Sequence, residues 1–351
     1  MTLSRHTLRR RTLLGTALCG ALVLSAVPAM AQDLVPIKFI LNWKYQGPQS
    51  AFFIAEDKGY FEEEGLDVTL DQGEGSAAAV TKVASGAYDA GFGDINALVT
   101  LAADKPDEAP IAIYAMYNNP PFTIAVRADS DITTPADLEG KTIGGPANDS
   151  ALKLFPAFAN VAGIDESAVE ITNMQPNLRE QMLARGQVDG VFGFVNTITF
   201  SAKAAGLEPE KNFRFLKYAD HGMDLYSNVV MVSKEFAEEN PEAVAGLVRA
   251  INRGTKDMIA DPVGSVSYVM EREPLLNAEV EAERTLATMA NEMGNPEIAT
   301  TGLGAPDTDR LARGIDIIVE ARGLSRTPAV EEVWTDAFLP PMEDRATSLT
   351  N

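Results

Sequence analysis

The sequence predicts an α/β protein with two similar lobes, each built around an open parallel sheet. Strand-like apolar stretches alternate with helical stretches, and the loops between them are short, which is typical of such sheets. One stretch of sequence recurs about one hundred residues later. Two extended segments lie where a chain could cross between two lobes.

The first lobe is expected to begin with two strand–helix units. The predicted elements are a strand at 37–41, a loop at 42–48, a helix at 49–58, a second strand at 66–70, a glycine-rich loop at 73–76 and a helix at 77–85. Gly59 and Gly86 follow the two helices and are natural C-caps.

The repeated stretch is the most informative feature of the chain. Five residues recur at the same offsets: Gly86, Asp89, Phe92, Gly93 and Asn96 return as Gly186, Asp189, Phe192, Gly193 and Asn196. Each copy predicts a helix, a glycine cap, an acidic turn, a short strand and a polar loop. The alternative is coincidence between two common helix-to-strand turns. Two related lobes would each present a loop at the carboxyl edge of a sheet, where open α/β sheets bind ligands.

The extended segments 122–127 and 228–233 are predicted to be hinge strands. The chain then divides into a first lobe at 32–122, a second lobe with the hinge strands at 123–232, and a return to the first lobe with a helical tail at 233–351. Helices are expected at 241–259, 263–273, 278–293 and 308–322. We expect this tail to pack around the first lobe.

The first 31 residues are predicted to be a signal peptide. Four arginines, at 5, 9, 10 and 11, precede an apolar run at 13–27 and the small-residue sequence Ala29-Met30-Ala31, so the mature chain should begin at Gln32. A membrane anchor is the alternative, but the run is short for a bilayer. The adjacent arginines leave the twin-arginine and general secretory routes both open.

Removal of this segment limits the chemistry of the mature chain. The only cysteine and one of the two histidines leave with it, so His221 is the sole remaining histidine. A disulfide or a Cys/His metal site is thereby excluded, and no G-x-S-x-G motif supplies a serine nucleophile. The net charge changes from −21 to −25 because four arginines and no acid are removed, which argues against nucleic acid and anionic lipid as partners. We expect no cofactor, no metal and no catalytic residue.

Several short motifs, taken in order, resemble a known family. They are Asn42-Trp43, Gln46-Gly47-Pro48, Lys58-Gly59-Tyr60-Phe61, Gly65-Leu66-Asp67-Val68, Asp137-Leu138, Gly140-Lys141 and Asn240-Pro241-Glu242, together with both copies of the repeat. The resemblance is to the solute receptors of ABC importers for nitrate, sulfonates, taurine and thiamine pyrimidines. It covers roughly residues 37 to 250.

This resemblance implies a type II periplasmic binding protein, whose two α/β lobes are joined by two hinge strands and close on a ligand. The implied partners are a small-molecule ligand and the permease subunits of an ABC importer at the inner membrane. We expect a periplasmic monomer and not an enzyme. The family also includes cytoplasmic pyrimidine synthases that use histidine and clustered cysteines, a branch that a cysteine-free mature chain does not fit. An enzyme on the same fold and a sensor domain are the alternatives.

In this fold the ligand cleft is lined by loops at the carboxyl ends of strands. The candidate ligand-binding residues are Trp43, Tyr45, Gln46, Ser76, Asp94, Asn96, Tyr117, Asn118, Asn173, Phe194, Asn196, His221 and Tyr226. Trp43 directly follows an apolar strand and is surrounded by polar residues and glycine, which favours stacking on a ligand over packing in a core.

The candidate residues favour a pyrimidine-like or other aromatic heterocycle, because rings could hold a flat ligand and Asp94 could accept a hydrogen bond from a ring N–H. Ser76 is expected to be a helix N-cap. A helix N-terminus also suits an anion, and Arg179 could lie in reach of one. Taurine, other alkanesulfonates and nitrate therefore remain alternative ligands.

Overall fold

The structure is a computed structural model that describes residues 34–349. The expected signal peptide, residues 1–31, lies outside the described residues. Within the described part of the chain, no helix combines the length and apolar character needed to span a membrane.

The described strands form two five-stranded sheets. The strands are β1 (Val35–Ile40), β2 (Leu66–Asp71), β3 (Ala90–Asp94), β4 (Ile111–Ala115), β5 (Phe122–Arg127), β6 (Thr142–Gly145), β7 (Glu170–Asn173), β8 (Gly190–Phe194), β9 (Phe213–Lys217) and β10 (Asn228–Val232). One sheet has the order β2-β1-β3-β10-β4, and we call it and its helices lobe I. The other has the order β7-β6-β8-β5-β9 and defines lobe II.

Helices cover both sheets and form the C-terminal third of the chain. They are α1 (Ser50–Asp57), α2 (Tyr60–Glu63), α3 (Ser76–Ala84), α4 (Ile95–Asp104), α5 (Ser150–Lys153), α6 (Phe155–Ala162), α7 (Arg179–Ala184), α8 (Val195–Ala204), α9 (Pro209–Asn212), α10 (Lys234–Glu239), α11 (Pro241–Ala260), α12 (Val266–Arg272), α13 (Ala278–Thr288), α14 (Ile298–Thr301), α15 (Thr308–Arg322) and α16 (Val330–Val333). A 3₁₀ turn at Gly47–Gln49 precedes α1, and a π-helical turn at Met289–Met293 extends α13.

The repeated stretch forms the same local structure in both lobes, as predicted. Helices α3 and α7 are followed by Gly86 and Gly186, whose φ angles are 72° and 66°, a left-handed conformation that glycine adopts without steric penalty. The carboxylates of Asp89 and Asp189 then accept hydrogen bonds of 2.8 and 2.9 Å from backbone N–H groups of β1 and β6, respectively. The strand and helix that follow have matching bounds in each lobe.

Both sheets are mixed, whereas the sequence predicted parallel sheets. β5 runs antiparallel between β8 and β9 in lobe II, and β10 runs antiparallel between β3 and β4 in lobe I. The two expected hinge strands are thus each a full member of one sheet, and β10 belongs to lobe I although it lies within 123–232.

The chain crosses between the sheets just before each of these strands, at 116–121 and 218–227. The two crossings are hydrogen-bonded to each other. The Tyr117 N–H donates to the Asn228 carbonyl and the Ser227 N–H donates to the Tyr117 carbonyl, each at 3.0 Å.

The sequence predicted that the C-terminal helices pack around lobe I alone. In the structure they contact both lobes. α11 packs on α1, and at Gly254 a Cβ atom would lie 2.1 Å from the Ala51 carbonyl oxygen. Further along the chain, α13 packs against α8 and α15 packs against α6. Helices α13 and α15 therefore pack against lobe II as well.

Candidate functional site

A cavity of about 500 Å³, measured out to its open mouth, lies between lobe I, lobe II and α13. It is lined by Asn42, Trp43, Gln46, Pro48, Gln49, Gly75, Ser76, Tyr117, Asp149, Ser150, Phe194, Asn196, Thr197, Arg284, Thr288 and Glu292. We call it the interlobe cavity.

Six of the predicted residues line the interlobe cavity, namely Trp43, Gln46, Ser76, Tyr117, Phe194 and Asn196. They come from both lobes and bring three aromatic rings to one space. Two of these rings also pack against another aromatic ring of their own lobe. Tyr117 meets Phe92 edge-to-face at 5.2 Å between ring centroids, and Phe194 meets Phe122 in the same way at 5.4 Å.

The loop that carries Trp43 is tied to the glycine-rich loop before α3. The Gly73 N–H donates to the Trp43 carbonyl at 2.9 Å, and the Gly75 N–H donates to the Asn42 carbonyl at 3.1 Å. Both loops follow neighbouring parallel strands, β1 and β2, so their residues meet at one edge of the sheet. Trp43 is partly buried there.

The sequence predicted Ser76 as the N-cap of α3, but Ser76 is the first residue of the helix. Gly75 is the N-cap, with a φ of 141° that favours glycine. A Cβ atom on Gly75 would lie 2.2 Å from the Asn148 carbonyl oxygen of lobe II. The backbones of the two lobes therefore approach each other here more closely than a methyl group permits.

Tyr45 does not line the interlobe cavity. Its hydroxyl donates to the Leu70 carbonyl at 2.6 Å, and its ring packs edge-to-face on Phe53 at 4.9 Å. A tyrosine that finds a backbone acceptor beside a core ring is stabilised as packing, so this candidate is corrected to a structural residue of lobe I.

Asp94 and Asn96 also lie behind the cavity wall. Asp94 caps α4 by accepting from the Asn96 N–H at 3.0 Å, and it accepts a second bond from Asn96 Nδ2 at 2.7 Å. The same amide donates to the Tyr226 carbonyl at 2.8 Å. Burial raises the pKa of Asp94 to about 6, although hydrogen bonds with Asn96 and with Ser150 of lobe II oppose the shift. The pair supports the corner between β3 and α4.

Asn118 and Tyr226 are likewise engaged in the fold. Asn118 Nδ2 donates to the Met293 carbonyl at 3.0 Å. The Tyr226 hydroxyl donates to Glu297 at 2.6 Å, and the Arg310 guanidinium lies 4.3 Å from its ring centroid. Both side chains hold the C-terminal segment against the crossings between the lobes.

Asn173 and His221 lie outside the interlobe cavity. Asn173 ends β7 and borders a second, open groove that residues of both lobes line, including Trp43 and residues 72–74 of lobe I. His221 lies in a 3₁₀ turn and packs on the edge of the Phe158 ring at 5.8 Å. His221 is thus a packing residue of lobe II.

The sequence interpretation missed a charged wall formed by α13 and the π-helical turn. Arg284, Thr288 and Glu292 line the cavity and are 2, 2 and 4% exposed. They are spaced four residues apart, which places them on one helix face. That spacing was available in the sequence, but nothing local shows that this face of a tail helix borders a cavity.

Arg284 is paired on one side only. Its Nε and Nη2 donate to Glu281 at 3.0 and 3.2 Å, whereas Nη1 is buried with no hydrogen-bond partner. Glu281 also accepts from the Gly47 N–H at 2.8 Å. Burial lowers the pKa of Arg284. Burial raises the pKa of Glu292 to about 8, although Asn196 and Arg284 oppose the shift.

A second buried ion cluster lies on the lobe II side. Arg179 is 1% exposed and is 2.7 Å from Glu180 and 3.5 Å from Asp149. Its Nη1 also donates to the Phe192 carbonyl at 3.3 Å. Burial raises the pKa of Asp149, which lines the cavity. Arg179 itself does not line it, so the expectation that this arginine reaches a ligand is not supported.

Among residues 34–349, no group of three or more His, Cys, Asp or Glu side chains is placed to hold a metal ion. The chemically distinctive feature of the cavity is instead a set of hydrogen-bonding atoms without partners. Gln49 Oε1 and Arg284 Nη1 are buried and unpaired, and both residues line the cavity; Ser150, which also lines it, interacts with Asp94.

Comparison with known proteins places this geometry among related chains. A formylaminopyrimidine-binding protein from Halalkalibacterium halodurans is 26% identical over 314 residues, covering 88% of this chain and 90% of that protein. A 4-amino-5-hydroxymethyl-2-methylpyrimidine phosphate synthase from Aspergillus parasiticus is 24% identical over 273 residues, covering 74% of this chain and 78% of that one.

The fold is shared with solved structures. The alkanesulfonate-binding protein from Xanthomonas axonopodis pv. citri, solved with bound MOPS, superposes with a TM-score of 0.65 at 19% identity and covers 87% of this chain and 99% of its own. The two α/β lobes of the periplasmic binding protein fold are thereby confirmed. The family model described as NMT1/THI5 like matches residues 48–265, more than half of the sequence, and the chain belongs to this family.

Proposed function

We propose that the protein is the substrate-binding component of an ABC importer and captures a small organic solute in the interlobe cavity by lobe closure. The observation that carries this proposal is one cavity lined by both lobes, with three aromatic rings and unpaired hydrogen-bonding atoms facing the same space. Such a site holds a small molecule only while the lobes are together.

A pyrimidine-like or other aromatic heterocycle is the ligand class that the cavity supports best. Trp43, Tyr117 and Phe194 offer ring faces or edges, and aromatic pairs prefer offset or edge-to-face contact. Gln49 and Ser150 can meet the polar edge of such a ring. The formylaminopyrimidine-binding relative supports the same class.

Taurine, another alkanesulfonate or nitrate is the alternative ligand. The alkanesulfonate-binding neighbour shares the fold at low identity, and α3 begins at the cavity with no side-chain cap. Against an anion, the acid Asp149 lines the cavity, and the cation Arg284 is already paired with Glu281.

Binding and not catalysis is the proposed activity, although one set of relatives consists of synthases. None of the residues that line the interlobe cavity is histidine or cysteine, and His221 packs elsewhere on lobe II. An acid–base or covalent mechanism built on those residue types would have no donor at this site. We further propose a periplasmic location, a monomeric state and importer permease subunits as partners.

A ligand panel tests the proposal. Protein beginning at Gln32 is titrated by calorimetry and followed by thermal shift with formylaminopyrimidine, cytosine, riboflavin, taurine and nitrate. A ligand at a hundredfold excess over its Kd should stabilise the folded state by about 2.7 kcal/mol. Small-angle scattering should show a smaller radius of gyration with the bound ligand, and a panel without any binder would contradict the proposed function.

A further inference from the structure

We infer that the segment 278–293 selects the ligand, with Arg284 donating a hydrogen bond from Nη1 to an acceptor atom on an uncharged solute. This inference rests on the proposed function and deepens it by naming the ligand's chemistry. It concerns α13 and the π-helical turn that follows, the one wall of the interlobe cavity formed by neither sheet.

The donor in question is built into the protein and is not a flexible surface group. Arg284 is 2% exposed, and Glu281 fixes its guanidinium through Nε and Nη2 at 3.0 and 3.2 Å. Glu281 is itself held by the Gly47 N–H at 2.8 Å. The remaining nitrogen, Nη1, is buried, unpaired and part of a cavity-lining residue. A buried charged donor left unsatisfied is unfavourable, so an acceptor placed in the cavity gains by meeting it.

The charges around the cavity favour an uncharged acceptor over an anion. Glu281 already neutralises Arg284, and on the opposite side the single cation Arg179 is shared between the two acids Asp149 and Glu180. No positive charge is left over in these two clusters to balance a sulfonate or nitrate, whose burial without a counter-charge is strongly unfavourable. A carbonyl oxygen or ring nitrogen can accept from Nη1 without adding charge.

The charged wall lies outside the part of the chain that the family model matches. The family model ends at residue 265, whereas Arg284, Thr288 and Glu292 follow it in the chain. The aromatic residues Trp43 and Tyr117 come from lobe I and Phe194 comes from lobe II. The two lobes thus contribute aromatic rings to the cavity, while α13 contributes Arg284, the charged donor that we infer to bind the solute.

The test compares Arg284→Lys with Arg253→Lys in the same calorimetric panel. R284K keeps the charge opposite Glu281 but removes the forked guanidinium, and we expect affinity for formylaminopyrimidine to fall about ten- to a hundredfold. R253K is the matched control, because Arg253 pairs with Glu63 on the surface, at 41% exposure, away from the cavity. The double variant E281Q/R284Q removes both buried charges together and covers the case in which R284K folds poorly.

The outcomes separate this inference from the function it rests on. A loss of affinity in R284K or in the double variant, with melting temperature preserved and R253K unchanged, supports it. Unchanged affinity in both Arg284 variants overturns it and leaves the receptor function standing. Tight binding of taurine or nitrate by the wild type overturns the uncharged-ligand assignment, and binding of no probe at all overturns the proposed function together with the inference.

Discussion

The β3–α4 and β8–α8 corners are equivalent in the two lobes, yet they use equivalent residues differently. In lobe I, Asp94 caps α4 and holds the Asn96 amide behind the cavity wall. In lobe II the same position is Phe194, which cannot cap a helix, and Asn196 lines the cavity and donates to Thr288 at 3.3 Å. The last residue of the strand thus decides whether the corner supports the fold or faces the solute.

A second difference lies beneath the same strands. A Cβ atom on Gly93 would lie 2.6 Å from the Met231 methyl group and 2.7 Å from the Ser76 carbonyl oxygen, whereas one on Gly193 would lie 2.5 Å from Arg179 Nη1. Lobe I therefore fills the space beside this glycine with uncharged groups, and lobe II fills it with a buried guanidinium. Lobe II carries its charge inside, close to the cavity, and depends on the pairing of that charge.

The largest expected effect tests this dependence. Arg179→Met leaves Glu180 and Asp149 buried without their cation, and we expect a loss of about 3–5 kcal/mol in the free energy of unfolding. The triple variant D149N/E180Q/R179M, which removes all three charges, should recover most of that loss. Denaturant titration measures both, and a loss below about 1 kcal/mol for R179M would show that the cluster is not a unit.

The two buried carboxyls near the corners should give two separate pH windows. Burial raises the pKa of both groups, so the folded state prefers them protonated, and stability is lost as pH rises from each unfolded value to the folded one. For Asp94 this window is about pH 3.8 to 6, and for Glu292 it is about pH 4.5 to 8. The effect is on the order of a few kcal/mol for Glu292 and smaller for Asp94.

Denaturant titration across pH checks this assignment with D94N and E292Q. Each variant should remove only its own window. Asn196, Arg284 and Tyr117 face Glu292 from the neighbouring elements and are unchanged in E292Q. Glu283→Gln is the matched control because Glu283 is half exposed and pairs with Lys203 on the surface. A pH profile altered equally by E283Q would assign the effect to general surface charge.

Replacing the two equivalent asparagines should have different effects, because Asn96 supports the fold and Asn196 lines the cavity. Asn96→Ala removes an amide that joins Asp94 to the Tyr226 carbonyl, and we expect about 1–3 kcal/mol of lost stability because buried partners are left unpaired. Asn196→Ala should cost less stability than Asn96→Ala, since its bond to Thr288 is long, at 3.3 Å, and its other contact is with the cavity residue Glu292, but it should weaken solute binding. Calorimetry and melting curves measure the two effects. Equal losses of affinity and of melting temperature in both variants would contradict the proposed difference between the two corners.

The smallest expected change in stability comes from Trp43→Ala. Trp43 is partly buried at the cavity, and loss of a stacked ring should weaken binding about tenfold or more while leaving the unliganded fold nearly unchanged. Trp334 is the internal control, since it is 5% exposed in the core and W334A should cost about 3–5 kcal/mol. A W43A variant that melts early yet binds normally would place Trp43 in the core.

The features that the sequence predicted correctly are those set by residues close together in the chain, such as helix bounds and strand-to-helix corners. Helix periodicity and caps gave α15 at its observed bounds and α11 to within one residue, and the repeat predicted matching corners in both lobes. Six cavity residues were found because they lie at or just after the carboxyl ends of strands in the two sheets. The sequence does not show that the hydroxyls of Tyr45 and Tyr226 donate to Leu70 and Glu297, because these partners lie far along the chain.

Long-range pairing accounts for the other differences. β10 is a short apolar strand that reads as a connector, and only its antiparallel partners β3 and β4 show that it completes lobe I. Arg284 and Glu292 lie on a tail helix whose neighbours come from residues 47 and 196. Charged residues at helical spacing usually indicate a solvated face, and nothing within the segment distinguishes that case from a buried wall.

The pairing of the two crossings limits how the lobes can move. Because Tyr117 is hydrogen-bonded to both Ser227 and Asn228, a twist or slide of one crossing alone would break these backbone bonds, whereas bending both together preserves them. For the proposed lobe closure we therefore expect Tyr117, Ser227 and Asn228 to move as one unit, with both crossings bending together.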